Sequence, residues 1–229
     1  MLTITDTLTR VRDMLDEQVE GSWLNAQLRR WLNDGLDDLA RETRQLTDVA
    51  TFNTVANQAE YLLPDNILEI DNVYFTTADA RMVPLAPVAY EGVDQVWGHY
   101  QNQSSYQPQV YTLWGYPPTL MMRLYPVPNA INVISLRVVR TAVHIDESGA
   151  GDADPIDFPS AWQDTLVDYC EMRALRKDRD PRWQEAQQMY MAKRDSLKLN
   201  DYMNISRNVQ MDDMIHGVPA FIADWNYRG

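Results

Sequence analysis

Apolar residues at helical spacing mark a first segment at the start of the chain. They follow one another at intervals of three or four positions and are Ile4, Leu8, Val11, Leu15 and Val19. This spacing places them on one face of an α-helix. It predicts a helix over about residues 5–19, with Thr5 or Asp6 as its N-cap.

A second helical pattern extends from about residue 24 to residue 46. Its predicted buried face consists of Leu24, Leu28, Trp31, Leu32, Leu36, Leu39 and Ala40. Gly35 lies inside this pattern, although glycine in a helix interior costs about 1 kcal/mol relative to alanine. We therefore expect that Gly35 allows a neighbouring element to pack closely against the helix.

The middle of the chain, about residues 51–145, changes to the period of a β-strand. Apolar positions such as Ile134, Leu136 and Val138 alternate with polar ones, which is typical of a half-buried strand. Prolines mark the ends of several such runs, because proline cannot donate to a sheet. The predicted strands are 60–63, 67–75, 82–85, 110–114, 119–125 and 133–141, and a short helix is predicted over 90–99.

Two further helical patterns follow an Asp- and Gly-rich loop at residues 144–157. The first begins at Phe158-Pro159-Ser160 and extends to about residue 177. The second begins at Asp180-Pro181 and extends to about residue 199. Aspartate is a good helix cap and proline suits the first helical turn, so Asp180-Pro181 is a strong start signal.

This order of elements predicts an α+β, mainly helical fold. Residues 1–50 and 146–199 supply two helices each to a four-helix core, because amphipathic pairs that cannot bury a face alone pack together. Residues 51–145 form a strand-rich subdomain inserted into this core, and residues 200–229 form an extended, partner-binding tail. The predicted helical core comprises Leu28, Trp31, Leu32, Leu36, Leu39, Trp162, Leu166, Tyr169, Trp183 and Tyr190.

The tail shows no sustained period but contains many apolar residues. Disordered tails are usually poor in such residues. We therefore expect the tail to order either against its own domain or against a partner protein, and its composition leaves both open.

The charge balance excludes some classes of function. Of 229 residues, 20 are Lys or Arg and 33 are Asp or Glu, which gives a formal net charge of −13. This charge argues against DNA binding by phosphate neutralisation. All but three of the basic residues are arginine, whose planar guanidinium suits protein interfaces. Cys170 is the single cysteine, which excludes an intramolecular disulfide and a site made of cysteines alone.

The sequence contains no recognisable catalytic motif, so we predict that the protein is not an enzyme and binds no cofactor. Phosphate-binding glycine loops and paired metal-binding histidines do not occur, and His99, His144 and His216 lie in separate segments. One alternative remains, a small enzyme or binding module that uses the acidic loop at 146–157 as a metal site. The carboxylates of this loop are Asp146, Glu147, Asp152, Asp154 and Asp157.

Spacing favours a solvated loop over this metal site. A calcium loop that began at Asp146 would place Ala150 at a ligand position, and alanine has no side-chain oxygen to donate. No Lys or Arg occurs from Thr141 to Met172. The sequence therefore predicts a negative surface there.

Four stretches of the chain carry motifs in a defined order. They are Leu28–Ala40 with Thr43 and Leu46-Thr47; Glu60–Ile70; Met122–Pro128; and Phe158-Pro159 with Leu166–Tyr169, Arg179–Pro181 and Ala186–Tyr190. Together they resemble a family of tailed-bacteriophage head-to-tail connector proteins, the adaptors that dock under the portal. The resemblance covers about residues 20–199.

The resemblance implies a structural protein of the virion neck, assembled in the host cytoplasm. Such adaptors form a dodecameric ring beneath the portal, extend the DNA channel, help to retain packaged DNA and join head to tail. The implied partners are further copies of the chain, the portal protein and tail or nozzle proteins. Double-stranded DNA passes through the channel without sequence-specific binding, and no membrane is involved.

The resemblance also implies a role for the tail, because the C-terminal segment of related connectors often reaches the portal. The candidate portal contacts are Tyr202, Ile205, Arg207, Val209, Met211, Met214, Phe221, Trp225 and Tyr227.

Overall fold

Helices and strands contribute comparably to the fold. The computed structural model describes residues 2–17, 20–77, 79–89, 104–105 and 107–198. Its helices are α1 (Ile4–Met14), α2 (Asn25–Thr43), α3 (Asp164–Asp178) and α4 (183–198). Its strands are β1 (Thr47–Asn53), β2 (Glu60–Leu62), β3 (Ile67–Thr76), β4 (Met82–Pro84), β5 (Ala86–Pro87), β6 (Ser104–Ser105), β7 (Val110–Trp114), β8 (Met121–Tyr125), β9 (Val127–Pro128) and β10 (Val133–Arg140).

The prediction of a mainly helical fold is wrong. Helices account for 36% of the structure and strands for 27%. Two helices are shorter than their apolar patterns predict, since α1 ends at Met14 and α2 ends at Thr43. Residues 47–53 form strand β1, which the sequence did not predict and which crosses the predicted boundary at residue 50. All six predicted strands are present.

The N-terminus of α1 is fixed by a capping box. The backbone N–H of Asp6 donates to Thr3 Oγ1 at 3.1 Å, and the backbone N–H of Thr3 donates to Asp6 Oδ2 at 3.0 Å. The cap is therefore Thr3 and not Thr5 or Asp6, because this reciprocal pair satisfies two N–H groups at the helix start. The same bonds lower the pKa of Asp6.

All four helices contribute to one buried apolar cluster. Helix α2 supplies its centre, and α1 and α3 pack their apolar faces against it. The principal side chains, grouped by helix from α1 to α4, are Ile4, Leu8 and Val11; Leu28, Leu32, Leu36 and Leu39; Leu166 and Cys170; and Tyr190 and Leu197.

At Gly35 helix α3 packs closely against α2, as the sequence predicts. A Cβ atom at Gly35 would lie 3.0 Å from Tyr169 Cδ1 and 3.3 Å from Leu166 Cδ2. Both neighbours belong to the packed cluster or border it. A side chain at residue 35 would therefore require the Tyr169 ring and the Leu166 side chain to shift.

We expect Gly35→Ala to lower the free energy of unfolding by about 1–3 kcal/mol, the usual cost of overpacking. Urea denaturation of the purified protein measures it. In a Tyr169→Ala background the same substitution should be neutral or stabilising, because alanine is the better helix former. An equal loss in both backgrounds would contradict contact with the Tyr169 ring as the cause.

The strands form two sheets that pack face to face. Sheet I has the order β1-β10-β3-β4 and is antiparallel throughout. Sheet II has the order β2-β8-β7-β5, in which β5 and β7 run parallel, and β6 pairs with β9 separately. The inner faces share a second apolar cluster, as in a β-sandwich: Tyr61, Leu63, Val73, Phe75, Tyr111, Met122, Leu124, Ile134, Leu136 and Val138.

Candidate interaction surfaces

The acidic loop is bound to α2 by two adjacent arginines. Arg29 donates to both carboxylate oxygens of Asp152, at 3.0 and 2.5 Å. Arg30 donates to both oxygens of Glu147, at 3.1 and 2.7 Å. The Arg29 side chain is 9% exposed and that of Arg30 is 62% exposed. The first pair is therefore largely shielded from water, and the second is a surface ion pair.

Contacts between α2 and the loop continue one and two helical turns beyond Arg29. The side-chain amide of Asn33 donates to the carbonyl oxygen of Ile145 at 2.8 Å, and the N–H of Ile145 donates to Asn33 Oδ1 at 2.7 Å. Asp37 Oδ1 lies 2.8 Å from His144 Nε2. The spacing of four residues places Arg29, Asn33 and Asp37 on one helix face, so the loop runs along this face of α2.

Asp157 connects the loop to sheet I. Its carboxylate accepts from Arg140 Nη1 at 2.6 Å and from Arg140 Nη2 at 2.8 Å. The backbone N–H of Val143 also donates to it, at 2.8 Å. The Arg140 guanidinium holds the pKa of Asp157 below its usual range, and the Val143 N–H lowers it further. Asp157 therefore links the acidic loop to strand β10 of sheet I.

Because of these ion pairs, the acidic loop is less negative than its sequence predicts. Three of the five loop carboxylates are bound by arginines from outside the loop. Asp164 and Asp168, also in the stretch without basic residues, pair with Arg10 and Lys193. The sequence showed the acidic run but not its counterions, of which Arg29 and Arg30 lie 123 and 117 residues from their partners in the chain.

The structure gives the alternative metal site no support. Within the described residues, no group of three or more His, Cys, Asp or Glu side chains is arranged to hold a metal ion. Cys170 is completely buried, and burial raises the pKa of its thiol. A buried thiol with a raised pKa is a packing group, because the reactive form is the thiolate.

A groove opens between α1, α3 and α4. Its volume is about 420 Å³, and its lining combines Met14 and Val167 with charged residues. Arg10 Nη1 donates to Asp164 Oδ1 at 2.6 Å across it, and Lys193 Nζ donates to Asp168 Oδ2. Four of the five charged residues that line the groove therefore pair with one another within the chain.

An exposed apolar row crosses sheet II. Leu62, Met121 and Trp114 are directly opposite one another on β2, β8 and β7, so their side chains share one face. Leu62 is 64% exposed and Trp114 is 44% exposed. Tyr116, in the β7–β8 turn, is 84% exposed. We call Leu62, Met121, Trp114 and Tyr116 the apolar row.

The predicted core residues lie in and around the helical cluster. Seven are buried within it: Leu28, Trp31, Leu32, Leu36, Leu39, Leu166 and Tyr190. Trp162 and Tyr169 are partly buried and pack against it. Trp183 is half-buried, and the Arg176 guanidinium lies 5.7 Å from the centre of its ring.

The remaining candidate residues lie outside the described part of the chain. They are the nine candidate portal contacts, from Tyr202 to Tyr227, together with His99 and His216. The predicted helix at 90–99 also lies outside it.

Sequence reasoning did not predict the apolar row or the arginines that bind the loop. The strands that carry the row were predicted, but strand periodicity does not show which face a partner sheet covers. Arg29 lies 123 residues from Asp152, and no local pattern relates two residues so far apart. The excess of arginine over lysine was the available signal, and we interpreted it as a sign of contacts between chains.

Arginines in the described residues instead act largely within the chain. Ten of them form ion pairs with carboxylates of the same chain. This intrachain use accounts for much of the arginine content without any partner.

The described part of the chain combines a loop that ion pairs hold against α2 and sheet I with an exposed apolar row on sheet II. A family model described as SU10 adaptor protein matches residues 2–214. The chain belongs to this family of phage head–tail adaptors, which confirms the resemblance. Adaptors are structural phage proteins that contact portal or tail proteins. No curated protein sequence matches the chain.

None of the described helices is both long and apolar enough to cross a membrane.

Proposed function

We propose that this adaptor closes into a dodecameric ring beneath the portal, where it extends the DNA channel, helps to retain packaged DNA and joins head to tail. The family match over residues 2–214 carries the proposal, because it spans the helices and both sheets. Packaged double-stranded DNA passes through the ring without sequence-specific contacts. The net charge of −13 supports this passage, since few phosphates would be neutralised.

A closed ring needs two different surfaces on each copy, which meet head to tail. We propose that sheet II contributes the apolar row to this interface. Trp and Tyr are enriched at the centres of protein interfaces, where they bury much area with few rotatable bonds. The row also spans three strands of a sheet, so its shape is fixed before the contact forms.

We expect Trp114→Asp to weaken self-association by at least about tenfold, the effect of losing one interface anchor. Sedimentation velocity across a concentration series measures it. Met189→Asp is the matched control, because Met189 is similarly exposed at 54% but lies on α4. Equal self-association of the two variants would contradict a role for the row.

The tail is our proposed portal-binding segment, with the nine candidate portal contacts as its binding residues. It carries many apolar residues, and segments that order on a partner bury such residues at the moment of binding. Helix α4 packs into the helical cluster up to Leu197, so the tail starts from a fixed point of the fold.

Deletion of residues 201–229 should weaken portal binding while the described domain stays folded, because residues up to 198 already form two buried apolar clusters. A pull-down with purified portal protein measures binding, and circular dichroism checks the fold. Loss of helical signal in the truncated protein would show that the tail belongs to the core. Undiminished portal binding would remove the tail from the proposed interface.

A further inference from the structure

The position of the apolar row on sheet II determines where the second surface of the proposed ring lies. Twelve copies around one axis differ in orientation by steps of about 30°, so neighbouring copies are nearly parallel. The row faces outward from sheet II, so a neighbour that covers it lies beside the sandwich. Sheet I is the opposite layer of the sandwich. Its outer face is therefore turned towards the neighbour on the other side.

The apolar row lies at the end of the sandwich that is nearest to the helices. Leu62 is the last residue of β2, and a short turn connects it to Ile67, the first residue of β3. Ile67 pairs with Arg140, whose N–H donates to the carbonyl oxygen of Leu46, between α2 and β1. Equal levels meet in nearly parallel copies. The row of one copy should therefore face the helix-near end of sheet I in the next.

The outer face of sheet I carries three exposed residues near this end. Val49, Arg137 and Asn72 are directly opposite one another on β1, β10 and β3, and Val49 is 62% exposed. Leu136 and Val73, which neighbour Arg137 and Asn72 in the chain, face the sandwich cluster instead. We call Val49, Arg137 and Asn72 the Arg137 row.

The guanidinium of Arg137 is exposed and has no counterion among the described residues. Ten other arginines of the described part bind carboxylates of the same chain. Of the described arginines that form no ion pair, Arg137 is the one that lies within a strand. Its place in the sheet fixes its backbone, so the side chain is presented from a rigid surface.

The chemistry of Arg137 matches the exposed rings of the apolar row. A planar guanidinium stacks on the faces of Trp and Tyr, and this attraction grows when water is excluded. Trp114 is 44% exposed and Tyr116 is 84% exposed, and no described cation lies over either ring. Val49 adds an aliphatic side chain beside Arg137. Arginine and aromatic residues are also the types enriched at the centres of interfaces.

We propose that the Arg137 row is the second surface of the ring and binds the apolar row of the neighbouring copy. The Arg137 guanidinium stacks on Trp114 or Tyr116 of that copy. The occupant is a second copy of the chain, because the two rows lie on opposite faces of one sandwich and each meets the other as copies repeat around the ring. This contact rests on the proposed ring and assigns its partner surface.

Two variants that each lose one surface test the contact. Trp114→Asp disrupts the apolar row, and Arg137→Glu disrupts the Arg137 row. We expect Arg137→Glu, like Trp114→Asp, to weaken self-association by at least about tenfold, because it replaces the stacked cation with a charge that the rings repel. Sedimentation velocity across a concentration series measures both variants separately.

A mixture of the two variants gives the sharper result. At a concentration where neither variant associates alone, the mixture should form a dimer of one copy of each. The intact Arg137 row of Trp114→Asp binds the intact apolar row of Arg137→Glu, and assembly stops there because no intact pair of surfaces remains. The same measurement detects the dimer at twice the mass of the chain.

Three further variants act as controls. Arg41→Glu changes another exposed arginine without an ion pair, on α2, and should associate like the unmodified chain. Arg137→Gln repeats the loss without adding a negative charge. Arg137→Lys should recover part of the association, because lysine keeps the charge but not the planar stacking group. Circular dichroism checks that each variant is folded.

The outcomes separate this contact from the ring itself. Unchanged association of Arg137→Glu and Arg137→Gln, while Trp114→Asp dissociates, would overturn the Arg137 row and leave the ring. Dimers of Arg137→Glu alone would show that the apolar row binds its own kind, and a mixture that stays monomeric would also overturn the contact. If the unmodified chain fails to self-associate both alone and with purified portal protein, the ring falls and the contact with it.

Discussion

Trp31→Ala should lower the free energy of unfolding of the isolated chain by roughly 3–5 kcal/mol, the usual cost of removing a large buried aromatic side chain. Trp31 is 7% exposed within the helical cluster. Its ring centre lies 5.4 Å from that of Trp23, and Lys177 Nζ lies 5.9 Å from it. The substitution removes this whole set of contacts and leaves a cavity beside α2.

Equilibrium denaturation in urea, followed by circular dichroism, measures this loss. Trp114→Ala is the matched control, because Trp114 is 44% exposed on sheet II and its truncation leaves no cavity. We expect the control to cost less than about 1 kcal/mol. An unchanged midpoint for Trp31→Ala would show that Trp31 does not belong to the core of the single chain.

Arg29→Met is the second substitution with a large expected effect, about 3–5 kcal/mol. It removes both hydrogen bonds to Asp152 and leaves that partly buried carboxylate without its cation. Breaking a shielded ion pair from one side costs this much, because the remaining charge is poorly solvated. The methionine keeps most of the side-chain volume, so the effect reports the lost charge pair.

The adjacent arginine provides the control. Arg30→Met removes an equally bidentate contact to Glu147 in the same loop, but this pair is exposed at 62% and 47%. Exposed pairs contribute about 0–1 kcal/mol. Thermal denaturation of both variants at the same pH gives the comparison. Similar losses for both variants would show that shielding from water does not set the importance of these pairs.

Local periodicity was sufficient to predict most elements but not their ends. Helix α2 ends at Thr43 because Arg44 adopts a left-handed conformation with φ of 55°. Glycine is the usual residue there, so an arginine gave no stop signal. Strand β1 begins soon afterwards, at Thr47. Its short alternation of apolar and polar residues was not distinguished from the helical pattern before it. These two errors led to the prediction of a mainly helical fold.

Long-range pairing accounts for what the sequence could not show. The acidic run was visible, but its partners Arg29 and Arg140 belong to a helix and a strand outside it. The apolar row depends on strand register and on which face the partner sheet covers.

Mass photometry of the protein mixed with purified portal protein is the direct test of the proposed ring. We expect a complex heavier than the portal alone by a fixed multiple of 26.5 kDa, one adaptor for each portal subunit, as expected for a closed ring. A portal peak of unchanged mass beside free 26.5 kDa monomer, under conditions in which both proteins are folded, would contradict the connector function.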